Sequence, residues 1–329
     1  MKIERILCPT DLTSDSEDAL RYALALSRAY EAELILLHCE TRSDLLANEE
    51  SKLSLQKAEL LQAAFFQRVD PAELSGLRWQ PVVVSGDDVG EAITHAAEAA
   101  SIDLIVMRSR RRPHRAALLG STAESVCRTA PCPVLVMHSD ERDWVAPGTA
   151  RVDLKRVLVA YDFSDYSERA LNYGLSFAQE YQAELHLLHV LPRFSLEEPE
   201  ISWYPLGKEG AYHKSARRLQ KAVPAEAHLW CDIKHAVSEG QAYREILNYA
   251  ERNAIDLICI GAHGAGFGSR TLFGSNVDRV LRQAPCPVLV ARSLKHLVSN
   301  RTKSVADEMD HMKLPRNPVA RIDRVMPGL

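Results

Sequence analysis

The sequence lacks any apolar run near the roughly 20 residues that a membrane-spanning helix requires. Its 329 residues carry a formal net charge of −4, so no excess of one sign points to nucleic acid or to an anionic membrane. The seven cysteines include no CxxC pair, which disfavours a zinc site or a disulfide framework. The first residues, MKIERILCPT, enter a charged strand pattern directly, unlike a signal peptide. These absences predict a cytoplasmic protein that binds neither membrane nor nucleic acid.

The chain repeats itself. The segment ERILCPTD, from Glu4, aligns with KRVLVAYD, from Lys155, and APCPVLV occurs twice, at 130–136 and 284–290. The offset between the copies changes only from 151 to 154 residues, so a domain has been duplicated with small changes in its loops. We expect domain 1 at residues 1–140, a polar linker at 141–154, domain 2 at 155–293 and a C-terminal tail at 294–329.

Each copy alternates short apolar runs with amphipathic stretches. In the second copy we predict strands at 156–160, 185–190, 229–234, 256–260 and 287–291, and helices near 165–181, 208–222, 241–253 and 275–283. In the first copy we predict strands at 5–8, 34–38, 79–84, 103–107 and 133–137. Short strands joined by helices need crossover connections, so each copy should be an α/β domain with a five-stranded parallel sheet flanked by helices. Ligands of such folds bind beyond the carboxyl ends of the strands.

A glycine-rich segment follows the fourth predicted strand of the second copy. It runs from Gly261 through Gly264 to Gly274-Ser275, with the spacing Gly, two residues, Gly, nine residues, Gly-Ser. Glycines let several backbone amides converge on one anion. Gly274-Ser275 also opens a predicted helix, whose first amides and dipole favour phosphate. The alternative interpretation is a loop that is merely flexible.

These ordered motifs resemble the universal stress protein family. An aspartate ends the first strand (Asp11 and Asp162), the G-x2-G-x9-G-[ST] pattern follows the fourth strand of the second copy, and A-P-C-P-V-L-V closes both copies. The resemblance covers about residues 4–138 and 153–292. It implies two tandem Rossmann-like domains of the adenine nucleotide alpha hydrolase type. In family members that bind ATP, adenosine lies between the first two strands and the phosphates lie on the glycine loop.

The resemblance also implies that the two domains pair through their last strands. Val134-Leu135-Val136 would then lie near Val288-Leu289-Val290, which makes an intramolecular pseudo-dimer. Whether two chains associate further into a homodimer stays open.

An adenine-nucleotide site in domain 2 is the main functional implication of the resemblance. Asp162 would hold the adenine or ribose end, and Val190, at the end of the second strand, would back the adenine. The complete set carried over is Ala160, Tyr161, Asp162, Val190, Gly261, His263, Gly264, Gly274, Ser275, Asn276 and Val277. The implied cofactor is ATP or another adenine nucleotide, with or without Mg²⁺, and the sequence indicates no protein metal site.

Domain 1 departs from this pattern. Asp11 and Gly120-Ser121 are kept, but Arg108 and Arg111 stand where domain 2 has its first two glycines. Arginine side chains should keep a phosphate from the backbone, so domain 1 is not expected to hold ATP in the family's manner. The alternatives for these residues are a weak anion site formed by Arg108, Arg111, Gly120 and Ser121, a partner contact, a solvated charge run, or pairing with acidic residues of the other domain.

The sequence favours a stress-response regulatory protein in which nucleotide occupancy of domain 2 changes stability or the binding of an unidentified protein partner. No GxxxxGK[ST] loop is present, and no S-G-G-x-D-S or H-x-G-H motif follows either first strand, so we predict that the protein is not an enzyme. Two alternatives stay open: a nucleotide-free scaffold, and a slow ATPase that uses Asp162 or His263. We interpret His38 and His189, at the ends of equivalent strands, as structural.

Overall fold

The computed structural model describes residues 2–11, 13, 16–40, 63, 75–109, 120–138, 141–146, 151–193, 207–264 and 274–292. Their strands are β1 Arg5–Pro9, β2 Glu33–Glu40, β3 Trp79–Ser85, β4 Leu104–Arg108, β5 Val134–Met137, β6 Arg156–Ala160, β7 Glu184–Leu191, β8 Ile233–Glu239, β9 Leu257–Gly261 and β10 Val288–Ala291. Their helices are α1 Glu17–Ala29, α2 Val89–Ala99, α3 Ser121–Thr129, α4 Asp165–Tyr181, α5 Gly207–Ala222, α6 Ala242–Arg252 and α7 Ser275–Gln283. None of these helices is long and apolar enough to cross a membrane.

One predicted strand is misplaced. The apolar run Leu229-Trp230-Cys231 predicted a strand at 229–234, but Ala225–Leu229 form a 3₁₀ helix and β8 spans Ile233–Glu239. Leu229 is 85% exposed, so its hydrophobicity does not mark a core position. Because β8 is an edge strand, and no residue in it is fully buried, its apolar signal is weak.

The ten strands form one sheet in the order β3-β2-β1-β4-β5-β10-β9-β6-β7-β8. Neighbours within each repeat are parallel, as in the pairing of β6 with β7 and β9. The repeats meet where β5 and β10 run antiparallel, with Leu135 opposite Leu289. The predicted pairing of the last strands is confirmed, and it merges the two five-stranded sheets into one. This pairing removes what would otherwise be an exposed edge on each repeat.

Helices cover both faces of the sheet, which explains why inner strands such as β5, β9 and β10 are apolar and buried throughout. Alternate residues of β6 face opposite layers. Val157 and Val159 pack in the layer that contains α1, α4 and α5. Leu158 and Ala160 pack in the layer that contains α2, α3, α6 and α7. Both layers continue across the β5–β10 junction, so the repeats share two hydrophobic cores within the compact unit Met1–Ser293.

The cysteines match the sequence interpretation of small buried apolar residues. Of the seven thiols, all of which are free, only Cys39 is not buried. Burial raises the pKa of Cys8 and of Cys132 to about 12, so these thiols are chemically inert at neutral pH.

The segment that we expected to be a polar linker packs against both repeats. The guanidinium of Arg142 donates to the carbonyls of Ala250, at 3.1 Å, and Ile255, at 2.8 Å, near the carboxyl end of α6. Trp144 is 1% exposed, and its ring meets the ring of Tyr22 on α1 edge-on at 4.6 Å. The linker therefore joins a helix of one repeat to a helix of the other, a role that its polar composition did not reveal.

Candidate nucleotide-binding site

The pairing of β6 with β9 brings Asp162 beside the start of the glycine-rich segment. Ala160 lies opposite Ile260 in this pair, so the residues that follow the two strands leave the sheet side by side. A Cβ placed on Gly264 would lie 2.9 Å from Oδ2 of Asp162. Glycine is therefore the residue that permits this close approach. Asp162 and Gly264, predicted from separate motifs, are neighbours in the structure.

The other carboxylate oxygen of Asp162 organises the backbone. Its Oδ1 accepts from the backbone amide of Ser164 at 3.0 Å and from the Ser164 hydroxyl at 2.5 Å. Ser164 in turn caps α4 in a reciprocal arrangement with Ser167. Asp11 of domain 1 accepts from the amide and hydroxyl of Thr13 in the same way. The aspartate thus has a structural function in both repeats, and in domain 2 its Oδ2 also faces the glycine-rich segment.

The far end of the glycine-rich segment returns to β9. The amide of Gly274 donates to the carbonyl of Ala262 at 3.3 Å, and α7 begins at the next residue. Among the described residues no side chain caps α7, and the first intrahelical donor is the amide of Asp278, which bonds to Gly274. The amides of Ser275, Asn276 and Val277 precede it, and with the helix dipole they form a site suited to an anion. Residues 265–273 lie outside the described part of the chain.

The residues expected to contact the adenine point their side chains to opposite faces of the sheet. Ala160 and Val190 pack in the layer that contains α6 and α7. The Tyr161 ring packs in the opposite layer, 5.2 Å from the ring of Phe163, while its amide donates to the carbonyl of Leu188 at 2.8 Å. A ligand on the α7 side would therefore meet the side chains of Ala160 and Val190 but only the backbone of Tyr161.

The His263 side chain packs against α4. It is 7% exposed, and its ring lies 5.0 Å from that of Tyr166 on α4, edge-on. The residue thus helps to hold α4 against the carboxyl end of β9, and what it would present to a phosphate is its backbone.

Gly261 has a packing function that the sequence motif did not reveal. A Cβ at this position would lie 2.7 Å from Cβ and 2.8 Å from the carbonyl carbon of Tyr166, and 3.0 Å from the amide of Ser167. The first turn of α4 therefore occupies the space that any side chain at 261 would need. Domain 1 carries Arg108 at this position.

The arginine that stands in place of the first glycine in domain 1 forms an ion pair within that domain. The Arg108 guanidinium lies 3.5 Å from Asp18 on α1, and its side chain is only 15% exposed. Asp18 also pairs with Arg21 at 3.1 Å, within the same domain. The acidic partner that the structure shows is therefore local and not in the other domain. The Gly120 amide donates to the Ser109 hydroxyl at 3.3 Å. Arg111 lies outside the described residues.

The two strand-end histidines satisfy backbone carbonyls. Nδ1 of His189 lies 2.8 Å from the carbonyl oxygen of Tyr161, and Nδ1 of His38 lies 2.9 Å from that of Thr10. A carbonyl oxygen only accepts, so each Nδ1 carries the proton and donates it. The structural interpretation of both histidines is confirmed. Burial lowers the pKa of His189.

The lowered pKa of His189 predicts how stability depends on pH. The unfolded chain takes up a proton at about pH 6.5, more readily than the folded one, so the contribution of His189 is complete above that pH and declines below it. Urea titrations at pH 7.5 and 5.5 should therefore show a smaller loss of stability for His189→Asn than for wild type. Asparagine keeps a donor for the Tyr161 carbonyl but does not titrate. An equal loss in both proteins would contradict the prediction.

Comparisons with known proteins agree with this fold and with its duplication. A model of the universal stress protein family matches twice, at residues 2–138 and 153–292. Universal stress protein Rv2623 of Mycobacterium tuberculosis is 30% identical over 229 residues, which cover 67% of this chain and 72% of that protein. Universal stress protein MJ0531 of Methanocaldococcus jannaschii is 31% identical over 145 residues, which cover 43% of this chain and 84% of that protein. The crystal structure of a universal stress protein from Archaeoglobus fulgidus superposes with a TM-score of 0.63 at 26% identity, and covers 88% of this chain and 96% of that one.

Proposed function

The chain belongs to the universal stress protein family, as a tandem member, and we propose that it is a stress-response regulatory protein that binds one adenine nucleotide in domain 2. The observation that carries this proposal is the approach of Gly264 to Asp162, beside the uncapped start of α7. A carboxylate that can accept from a ribose then lies at the same edge of the sheet as the first amides of α7, which have no partner among the described residues. ATP, with or without Mg²⁺, is the ligand that the family resemblance implies.

Domain 1 is proposed not to bind ATP in this manner. Its helix α3 also begins after a glycine, with no capping side chain in the part of the chain that the structure describes, so the helix terminus alone does not distinguish the domains. The difference lies at Arg108, whose side chain occupies the strand end where domain 2 has a glycine. We therefore expect one nucleotide per chain.

We propose binding rather than turnover as the activity of the site. Oδ1 of Asp162 is engaged by Ser164, its Oδ2 is the oxygen that we assign to the ribose, and the His263 ring is buried against Tyr166, so we assign none of these groups to the activation of a water molecule. A nucleotide bound only to the folded state adds stability by mass action, about 2.7 kcal/mol at a concentration 100 times Kd. Occupancy would in this way change the stability of domain 2 and the surface that it presents to a protein partner.

Asn276→Asp is the variant that tests the phosphate part of the site. Asn276 is exposed in the first turn of α7, where an aspartate favours the helix dipole and should leave the fold intact. The new charge would repel a phosphate on the same amides, so we expect ATP affinity to fall by about tenfold or more. Isothermal titration calorimetry of ATP against wild type and variant measures this change.

Gln220→Glu is the matched control for this titration. It adds the same charge at an exposed position on α5, in the opposite layer, and should leave the affinity unchanged. If ATP binds Asn276→Asp with unchanged affinity, the phosphates do not lie on the first amides of α7. No heat of binding in wild type would leave the nucleotide-free scaffold as the function.

A further inference from the structure

The two repeats differ in the seam between their last two helices. In domain 1 this seam, between α2 and α3, is closed by small residues. A Cβ on Gly90 would lie 2.5 Å from the Cβ of Ser125, so the helices are in direct contact there. One turn further on, the hydroxyls of Thr94 and Thr129 lie 2.9 Å apart. This packing leaves no space between the helices at these positions.

Domain 2 has long side chains at all four corresponding positions. The repeat offsets place Tyr243 and Leu247 where domain 1 has Gly90 and Thr94, and they place Arg279 and Gln283 where it has Ser125 and Thr129. A groove of about 430 Å³ lies along this seam and is lined by Tyr243, Arg244, Leu247, Asn248, Glu251, Gln283 and Pro285. The duplication thus provides an internal comparison. The equivalent helices contact each other directly in domain 1, whereas a groove lies between them in domain 2.

Two arginines converge on a tyrosine at one end of this groove. Nε of Arg244 donates to the Tyr243 hydroxyl at 2.8 Å, and the Arg279 guanidinium lies 4.7 Å from the centre of the Tyr243 ring. Both arginine residues are exposed. Within the described part of the chain, neither forms an ion pair with a carboxylate. Arg244 lines this end of the groove and Arg279 lies beside it, so two positive charges meet here that no acidic side chain of the described residues pairs with.

The acidic residues nearby are engaged elsewhere. Glu245 accepts from the hydroxyl of Ser238 at 2.6 Å. Glu251, at the opposite end of the groove, pairs with the linker residue Arg142 at 2.9 Å. Asp278 pairs with Arg282 along α7. An acidic ligand would meet the two free guanidinium groups without having to displace these pairs.

We propose that this groove binds an extended acidic peptide segment of a partner protein. Its carboxylates would pair with Arg244 and Arg279, and its aliphatic groups would lie against Leu247 and Pro285. The lining from Tyr243 to Glu251 spans eight residues of helix, roughly 12 Å, which is about the length of four extended residues. A single small anion would fill only the arginine end. The groove lies outside the nucleotide site, and the inference holds whether or not ATP binds.

Fluorescence anisotropy with a labelled octapeptide of four glutamates, two leucines and terminal glycines tests the proposal on the full chain at low salt. We expect micromolar binding, and binding at least about tenfold weaker for the peptide in which glutamine replaces every glutamate. Equal binding of the two peptides would overturn the proposal. So would inorganic phosphate that binds as tightly as the acidic peptide, because the site would then be one for small anions.

Two variants locate the binding to the groove. Arg244→Glu/Arg279→Glu should weaken peptide binding by about tenfold or more. Lys214→Glu/Arg217→Glu changes the net charge equally on exposed positions of α5 and should leave the affinity within about twofold. Equal effects of the two double variants would show general charge attraction and contradict the assignment.

A third variant copies the closed seam of domain 1 into domain 2, so it removes the groove lining together with the Arg279 guanidinium. It combines Tyr243→Gly, Leu247→Thr, Arg279→Ser and Gln283→Thr. We expect it to lose peptide binding, and circular dichroism would confirm that it is folded. Retained affinity in a folded protein of this kind would overturn the proposal.

Discussion

Gly261→Arg, which gives domain 2 the residue of domain 1, is expected to destabilise the protein by roughly 3 kcal/mol and to abolish nucleotide binding. The Cβ alone would come within 2.7–3.0 Å of Tyr166 and Ser167, and two of the three close atoms belong to the backbone. Relief therefore requires the first turn of α4 to unwind or shift. Since Asp162 holds that turn through Ser164, the site would be lost with it. Urea denaturation and ATP calorimetry measure the two effects.

Gly86→Ala is the control for a glycine that lacks this close backbone contact. Its Cβ would lie 3.1 Å from the methyl group of Ala92 and 3.6 Å from the nearest backbone atom, the carbonyl oxygen of Asp88. We expect a cost below about 1 kcal/mol, because only a methyl contact must adjust. If Gly261→Arg were as stable as Gly86→Ala, the position of α4 would not require a glycine at 261. Gly261 would then belong to the ligand site alone.

Trp144→Ala is expected to cost about 3–5 kcal/mol, the range for a large aromatic removed from a core. Its side chain is 1% exposed, and its backbone amide donates to the Tyr22 hydroxyl at 3.0 Å. That hydroxyl donates in turn to Asp143 at 2.9 Å. Loss of the ring should release the linker from α1, so cleavage by trypsin near Arg142 should become faster as the free energy of unfolding falls.

Trp230→Ala is the matched substitution at a partly buried tryptophan of domain 2. We expect its cost to be clearly smaller, because less apolar surface is removed from contact. A loss below about 1 kcal/mol in Trp144→Ala, or unchanged proteolysis near Arg142, would mean that the linker is not anchored by this ring.

The sequence by itself determined the duplication and the parallel sheet of each repeat, and the family resemblance implied the pairing of the closing strands that the structure shows. Periodicity placed α4 at 165–181, where the structure has it, because a helix with one buried face repeats its apolar residues locally. The motifs that contain Asp162 and Gly264 were sufficient to predict that the two residues lie close together. Each motif follows a strand, and neighbouring parallel strands end at the same edge of the sheet. The β8 prediction was wrong, because an exposed apolar residue such as Leu229 carries the same local signal as a buried one.

Only the tertiary structure decided which face each site residue serves and what lies between the helices. The Tyr161 and His263 rings pack toward α4, Gly261 makes room for Tyr166, and Trp144 reaches back to Tyr22. Each of these contacts joins residues that are about 100 positions apart or more, or that belong to different elements. Such contacts depend on how closely two surfaces approach, and no local period in the sequence encodes that distance. For the same reason the closed seam of domain 1 and the groove of domain 2 could be told apart only once the helices were packed.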